Sequence, residues 1–239
     1  MRSRANRDIR AQVVFNGVMR RTATAILAAL ALTLALPTGS PARITEVGLL
    51  PVTTPPTVPS CPTNPCLAVS RTTGFQVKVG PAHNFLAAPR AGSVVAWTIM
   101  LGKPNSTQIK FFNANEGGVS EAGIAILRPV PKPNLTYRLV AQSPPIKLQR
   151  YFGKTVQFPL ETTLAVRKGD VVALSVPTWS PALALGFGKD TAWRASRPRK
   201  QCSSTSSQST YAQIGSSVQY YCLYQTARLA YSAMLISTP

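Results

Sequence analysis

Four cations and an indole fall within eight residues at Trp193-Arg194-Ala195-Ser196-Arg197-Pro198-Arg199-Lys200, two positions ahead of Cys202. Guanidinium and ammonium groups at that density contact phosphate or sulfate, and an indole beside them stacks on a sugar or base ring. Tyr220, Tyr221 and Tyr224 cluster around the next cysteine, Cys222. Trp179, between Pro177 and Pro181, reads as a loop residue and a second stacking position. The candidate ligand residues are therefore Trp193, Arg194, Arg197, Arg199, Lys200 and Trp179. The competing reading is a solvated hairpin whose Trp193 packs in the core.

General acid/base work needs two carboxylates in different environments. Glu116 and Glu121 flank Gly117-Gly118 on one predicted loop. They would serve a glycosidase if they faced a cleft about 5–10 Å apart; the simpler expectation is that they solvate a turn. Asp170, after Gly169, is expected to cap its turn with its side chain. His83 is the one histidine, so a Ser-His-Asp triad would have to use it, and no Gly-x-Ser-x-Gly elbow occurs. No phosphate-cradling glycine loop, dinucleotide fingerprint or specific nucleic-acid motif is present. Catalytic residues, cofactor and metal are each expected to be none.

The four cysteines are Cys61, Cys66, Cys202 and Cys222. Zinc is disfavoured by the C-x4-C spacing and the lone histidine. In an exported chain four cysteines imply disulfides, and three connectivities are open. Local pairing, 61 with 66 and 202 with 222, is the preferred set.

Export is the expectation from the N-terminus. Arg20 and Arg21 precede an apolar run of fourteen residues, 23–36, ended by Pro37 and Gly39. That run falls short of the roughly 20 residues a membrane span needs, and Ser40-Pro41-Ala42 offers small residues for cleavage after Ala42. Residues 1–42 are read as a signal peptide, with Met19 as an alternative start and an uncleaved anchor as the competing reading. With six arginines and one aspartate of that leader set aside, the remainder carries twenty cations and six carboxylates, net +14. Such a field attracts polyanions, and it also keeps an exported protein soluble.

The elements that must position these residues are predicted to be strands. Residues 43–66 form a Pro/Thr-rich linker containing the Cys61/Cys66 loop, and 67–239 a single domain. From Thr73 apolar residues alternate: Phe75, Val77 and Val79; Ile109 and Phe111; Leu135, Tyr137 and Leu139; Val156 and Phe158; Leu229, Tyr231, Ala233 and Leu235. Residues 94–101, 123–127 and 171–176 are apolar on both faces and read as central strands. Turn chemistry at Gly102-Lys-Pro-Asn105, Asn115-Glu-Gly-Gly118 and Arg167-Lys-Gly-Asp170 separates the runs. About ten short strands without a convincing amphipathic helix predict an all-β, antiparallel two-sheet sandwich, jelly-roll-like.

Residues 85–176 carry a resemblance. Ala88-Pro89-Arg90-Ala91-Gly92 leading into Val95-Ala96-Trp97 is one part of it. Ile126-Leu127-Arg128-Pro129, and Phe158 with the run from Leu164 to Leu174 through Gly169-Asp170, are the others. This half of the chain resembles a group of uncharacterised, signal-bearing secreted proteins of actinobacteria. The resemblance implies a secreted sandwich and brings no activity or site with it.

Three function classes follow. The favoured one is a secreted or cell-envelope, non-catalytic module binding an anionic envelope polymer or glycan. The second is a structural or assembly protein of the cell surface. The last is a secreted hydrolase using Glu116 and Glu121.

Overall fold

The computed structural model describes residues 42–49, 57–197, 199–203 and 213–237. The apolar leader, the linker tract 50–56, Pro198 and residues 204–212 between Cys202 and Cys222 lie outside the described residues, as does most of the expected cleavage signal.

Every strand pairing is antiparallel. One sheet has four strands in the order β1 (Arg43–Val47), β15 (Tyr231–Ser237), β4 (Gly92–Met100), β8 (Thr155–Val166). The second sheet runs β12 (Ser217–Gln219), β6 (Thr136–Gln142), β5 (Glu121–Val130), β9 (Val171–Ser180), β2 (Val69–Val79), β11 (Ala192–Ala195), β13 (Cys222–Gln225). Two short strands, β3 (Ala82–His83) and β7 (Ile146–Lys147), pair with β2 and β5 at its margins, and β10 (Leu183–Leu185) pairs separately with β14 (Ala227–Leu229).

The pleat explains the packing. In β15 the period-two set Tyr231, Ala233 and Leu235 points inward and meets Ile99, Trp97 and Val94 of β4 in register or across its bulge. Trp97 rests on Phe158 of β8 with ring centroids 5.1 Å apart. β5 and β9 are apolar on both faces, and Ile124, Ala125, Ile126, Val172, Ala173 and Leu174 are all buried, as expected of central strands. One buried cluster draws on both sheets. Burial of its ring raises the pKa of Tyr231, whose phenol donates to the Val172 carbonyl at 3.0 Å and so stays protonated as part of the core.

Two expectations need correction. Residues 106–115 are a helix, α1 (Ser106–Asn115), where Ile109 and Phe111 had suggested a strand. Four alternating residues cannot separate the two periods. A reciprocal cap does: the Asn105 side chain accepts from the Gln108 amide at 2.9 Å, and Gln108 Oε1 accepts from the Asn105 amide at 2.9 Å. The helix buries Phe112 and leaves Phe111 58% exposed. Residues 43–47, read as linker, form the edge strand β1, whose hydrogen-bond partner β15 lies at the other end of the sequence.

β4 and β15 approach so closely at Gly92 that a Cβ there would stand 2.1 Å from the Ile236 carbonyl oxygen. Gly92→Ala is therefore expected to destabilise the protein by about 2–3 kcal/mol through forced separation of the two strands. A urea midpoint equal to that of the parent would refute this close approach.

Candidate functional site

The basic segment begins in β11, which is clamped between β2 and β13. Trp193 pairs with Tyr224 across that ladder, and the two rings stack 4.7 Å apart at 29°. Gly74 of β2 lies beneath the indole; a side chain there would meet the Trp193 ring at 2.9 Å. Trp193 is consequently 5% exposed. It is a packing residue, not the stacking platform considered from the sequence.

Arg197 is also corrected. Its side chain turns inward, is 7% exposed, and donates to the Tyr224 hydroxyl and, at 3.4 Å, to the Cys202 carbonyl. Its guanidinium lies 5.3 Å from the Tyr224 ring centroid. Tyr224 completes the knot by donating to the Cys202 carbonyl at 2.5 Å. Burial pushes the Arg197 pKa down, and the facing Tyr224 opposes that shift. Arg194, half-buried, donates to the carbonyls of Tyr221 at 2.9 Å and Tyr220 at 3.3 Å. Two of the four cations thus hold the chain on either side of the two cysteines in place.

Those cysteines are bonded to each other, as are Cys61 and Cys66. Cys222 is fully buried, so the bridge anchors the segment on the sheet. What remains outward is Arg199 and Lys200, both exposed, with the Arg199 guanidinium 5.3 Å from the ring centroid of half-buried Tyr221. Tyr221 was grouped with its neighbours in the sequence; its place under Arg199 depends on the disulfide and could not be read locally.

Trp179 is the third correction. It is 0% exposed, stacked on Phe112 of α1 at 4.7 Å and flanked by Phe152 at 5.5 Å. Its Nε1 donates to the Asn113 side-chain oxygen at 3.0 Å and the Gly118 carbonyl at 2.8 Å. No ring face is left for a ligand.

The other chemical candidates are engaged or isolated. Glu116 closes α1 and pairs with Arg71 at 3.4 Å. Glu121 stands on β5 opposite Lys147 of β7. His83 is exposed on β3, with no hydroxyl or carboxylate bonded to it among the described residues. No group of three His, Cys, Asp or Glu side chains suited to a metal ion occurs among the described residues.

Asp170 caps its turn as expected, accepting from the Arg167 amide at 2.8 Å. Sequence reasoning missed its larger role. Arg128 of β5 donates to it through Nε at 2.8 Å and through a terminal nitrogen at 2.7 Å. That bidentate bond, more than the charge alone, raises the Arg128 pKa. Among the described residues, Arg71–Glu116 and Arg128–Asp170 are the two ion pairs. Most of the cations beyond the leader therefore have no carboxylate partner there.

No protein-family model, curated protein or solved structure matches this chain. The two disulfides fit an oxidising compartment, extracellular or envelope.

Proposed function

We propose that this is a secreted, non-catalytic β-sandwich module, of the kind its actinobacterial resemblance implies, that binds an anionic polymer or glycan of the cell envelope. The observation that carries the reading is the surplus of unpaired cations, gathered at Arg199 and Lys200 beside the Tyr221 ring and held by the 202–222 disulfide. A segment already fixed by a crosslink loses less conformational entropy on binding. A ring under a guanidinium gives a sugar a face to pack on while the charges meet phosphate or sulfate.

The jelly-roll wrap is part of the same proposal. Strand order supports it: the first and last described strands are neighbours, and β1, β2, β4 and β5 alternate between the two sheets. Such a scaffold leaves one end of the sheets free to carry a binding segment. The hydrolase reading loses support because Glu116 is held by Arg71.

The test is binding of dextran sulfate, DNA and purified anionic wall polymer to the protein across a salt series. The Arg199→Ala/Lys200→Ala double variant should bind about tenfold more weakly at low salt. The slope of log affinity against log salt should flatten by about 1.5, near the counterion release of two contacts. Tyr221→Ala should weaken glycan-containing polymers more than DNA. If the double variant binds all three polymers like the parent, the site lies elsewhere.

A further inference from the structure

We infer that the outer face of the four-stranded sheet is a docking surface for a second copy of this chain. The inference is independent of the polyanion reading.

The two central strands of that sheet, β4 and β15, contain no charged residue over their whole length. The edge strand β1 adds Arg43 and Glu46, and β8 adds Glu161. Register fixes which side chains look outward. Trp97, Ala233 and Phe158 point to the core, so their alternates form the opposite face. Ile44 pairs with Ile236, and Glu46 with Met234, on that outer side. Val95, Thr98 and Met100 continue it across β4, all of them partly exposed. Glu46 keeps its charge at the rim of that side, where its carboxylate accepts from the Ser232 hydroxyl at 2.5 Å. Ile44, at the rim, is 66% exposed.

The solvent side of an antiparallel sheet is normally its polar side. The other sheet carries charge on partly or fully exposed positions of its ladder, with Arg128 and Arg138 side by side on β5 and β6. A chain with 26 cations and 7 carboxylates that leaves one sheet face without a lysine or arginine at its centre has kept that face free of desolvation cost.

Two considerations select a second copy as occupant. Size is one: four strands about 4.8 Å apart, with some nine residues rising about 3.3 Å each, make a face of roughly 500–600 Å². Two copies would bury just over about 1,000 Å², the threshold for a specific interface. Charge is the other. Two strongly cationic copies repel over most of their surfaces, and a face whose central strands β4 and β15 carry no charge is where they can meet about a two-fold axis.

Sedimentation equilibrium of the full chain tests this. The parent should show twice its 25.6 kDa mass at micromolar concentration. Thr98→Lys and Ile236→Lys each place like charges across the axis, and each should raise the dissociation constant at least about 30-fold. Both sites are partly exposed, so the variants should keep the parental near-ultraviolet spectrum. Ser217→Lys, on the other sheet, should leave the dimer intact. A parent monomeric at about 100 µM overturns the proposal, as does a folded Thr98→Lys variant that dimerises like the parent. All strands of the described residues lie after Ala42, so a chain beginning at Arg43 supplies a further arm. A full chain that is monomeric, with the shortened one dimeric, would assign the face to the preceding segment and likewise overturn the proposal.

Discussion

Trp179→Ala is expected to lower stability by about 4 kcal/mol, within the range for an aromatic removed from a packed interior. The indole is fully buried and fills a cluster with Phe112 and Cys61, against which Phe152, Ile109 and Cys66 pack. The substitution opens a cavity and also strands two acceptors, the Asn113 side chain and the Gly118 carbonyl. Both belong to α1 and the turn after it, so that turn should loosen first and become sensitive to proteolysis. Trp179→Phe keeps a ring against Phe112 and loses the N–H, which should cost about 1–2 kcal/mol. Urea unfolding of both variants with unchanged slope measures the two contributions. A loss below about 1 kcal/mol for Trp179→Ala would instead fit the exposed loop residue that its neighbouring prolines suggest.

Pro177 and Pro181 locally signal a loop, because proline removes a ladder donor. β9 nevertheless runs through Pro177. Opposite it, β2 shifts register between Ser70 and Thr72, where Arg71 takes φ of 43°, so the ladder is already interrupted where Pro177 has no N–H to give. That bulge lies about a hundred residues away, and no local pattern announces it.

The same distinction runs through the rest of the molecule. The central strands β5 and β9 were legible because burial on both faces leaves a continuous apolar run in each, and β4 shows such a run although its outer face is partly exposed. The last strand was legible from the spacing of Leu229, Tyr231, Ala233 and Leu235. Helix α1 was legible in principle: Asn105-Ser-Thr-Gln108 carries the cap, and a short alternating stretch was weighed above it. β1 was not legible, since its partner is 194 positions away at Ser237. At the candidate site, counting charges found the right segment. It could not show that Arg197 turns inward, because Tyr224, the group that receives it, lies 27 residues further on. The two left exposed are Arg199, which lies against the Tyr221 ring, and Lys200.

Asp170→Ala should cost about 2–4 kcal/mol, and the reason is the arginine it leaves behind. Asp170 is 2% exposed and accepts three hydrogen bonds, two from Arg128 and one from the Arg167 amide. Arg128 stands directly opposite Arg138 on the β5–β6 ladder. Like charges so placed repel, and Asp170 is what makes the pair tolerable. Removing one partner of a fully buried ion pair costs about 3–5 kcal/mol. The Arg128 side chain is 32% exposed, so water takes up part of the loss and the lower figure applies. Asp170→Asn retains an acceptor for the Arg167 amide and should fall between parent and alanine. Arg128→Met in the Asp170→Ala background removes both the stranded charge and its repulsion from Arg138. The double variant should therefore be more stable than Asp170→Ala alone, by about 1–2 kcal/mol. A double-mutant cycle by urea unfolding measures the coupling. Additive losses from the two substitutions would mean that the bidentate contact holds nothing together, and that Asp170 acts through its turn at Gly169 alone.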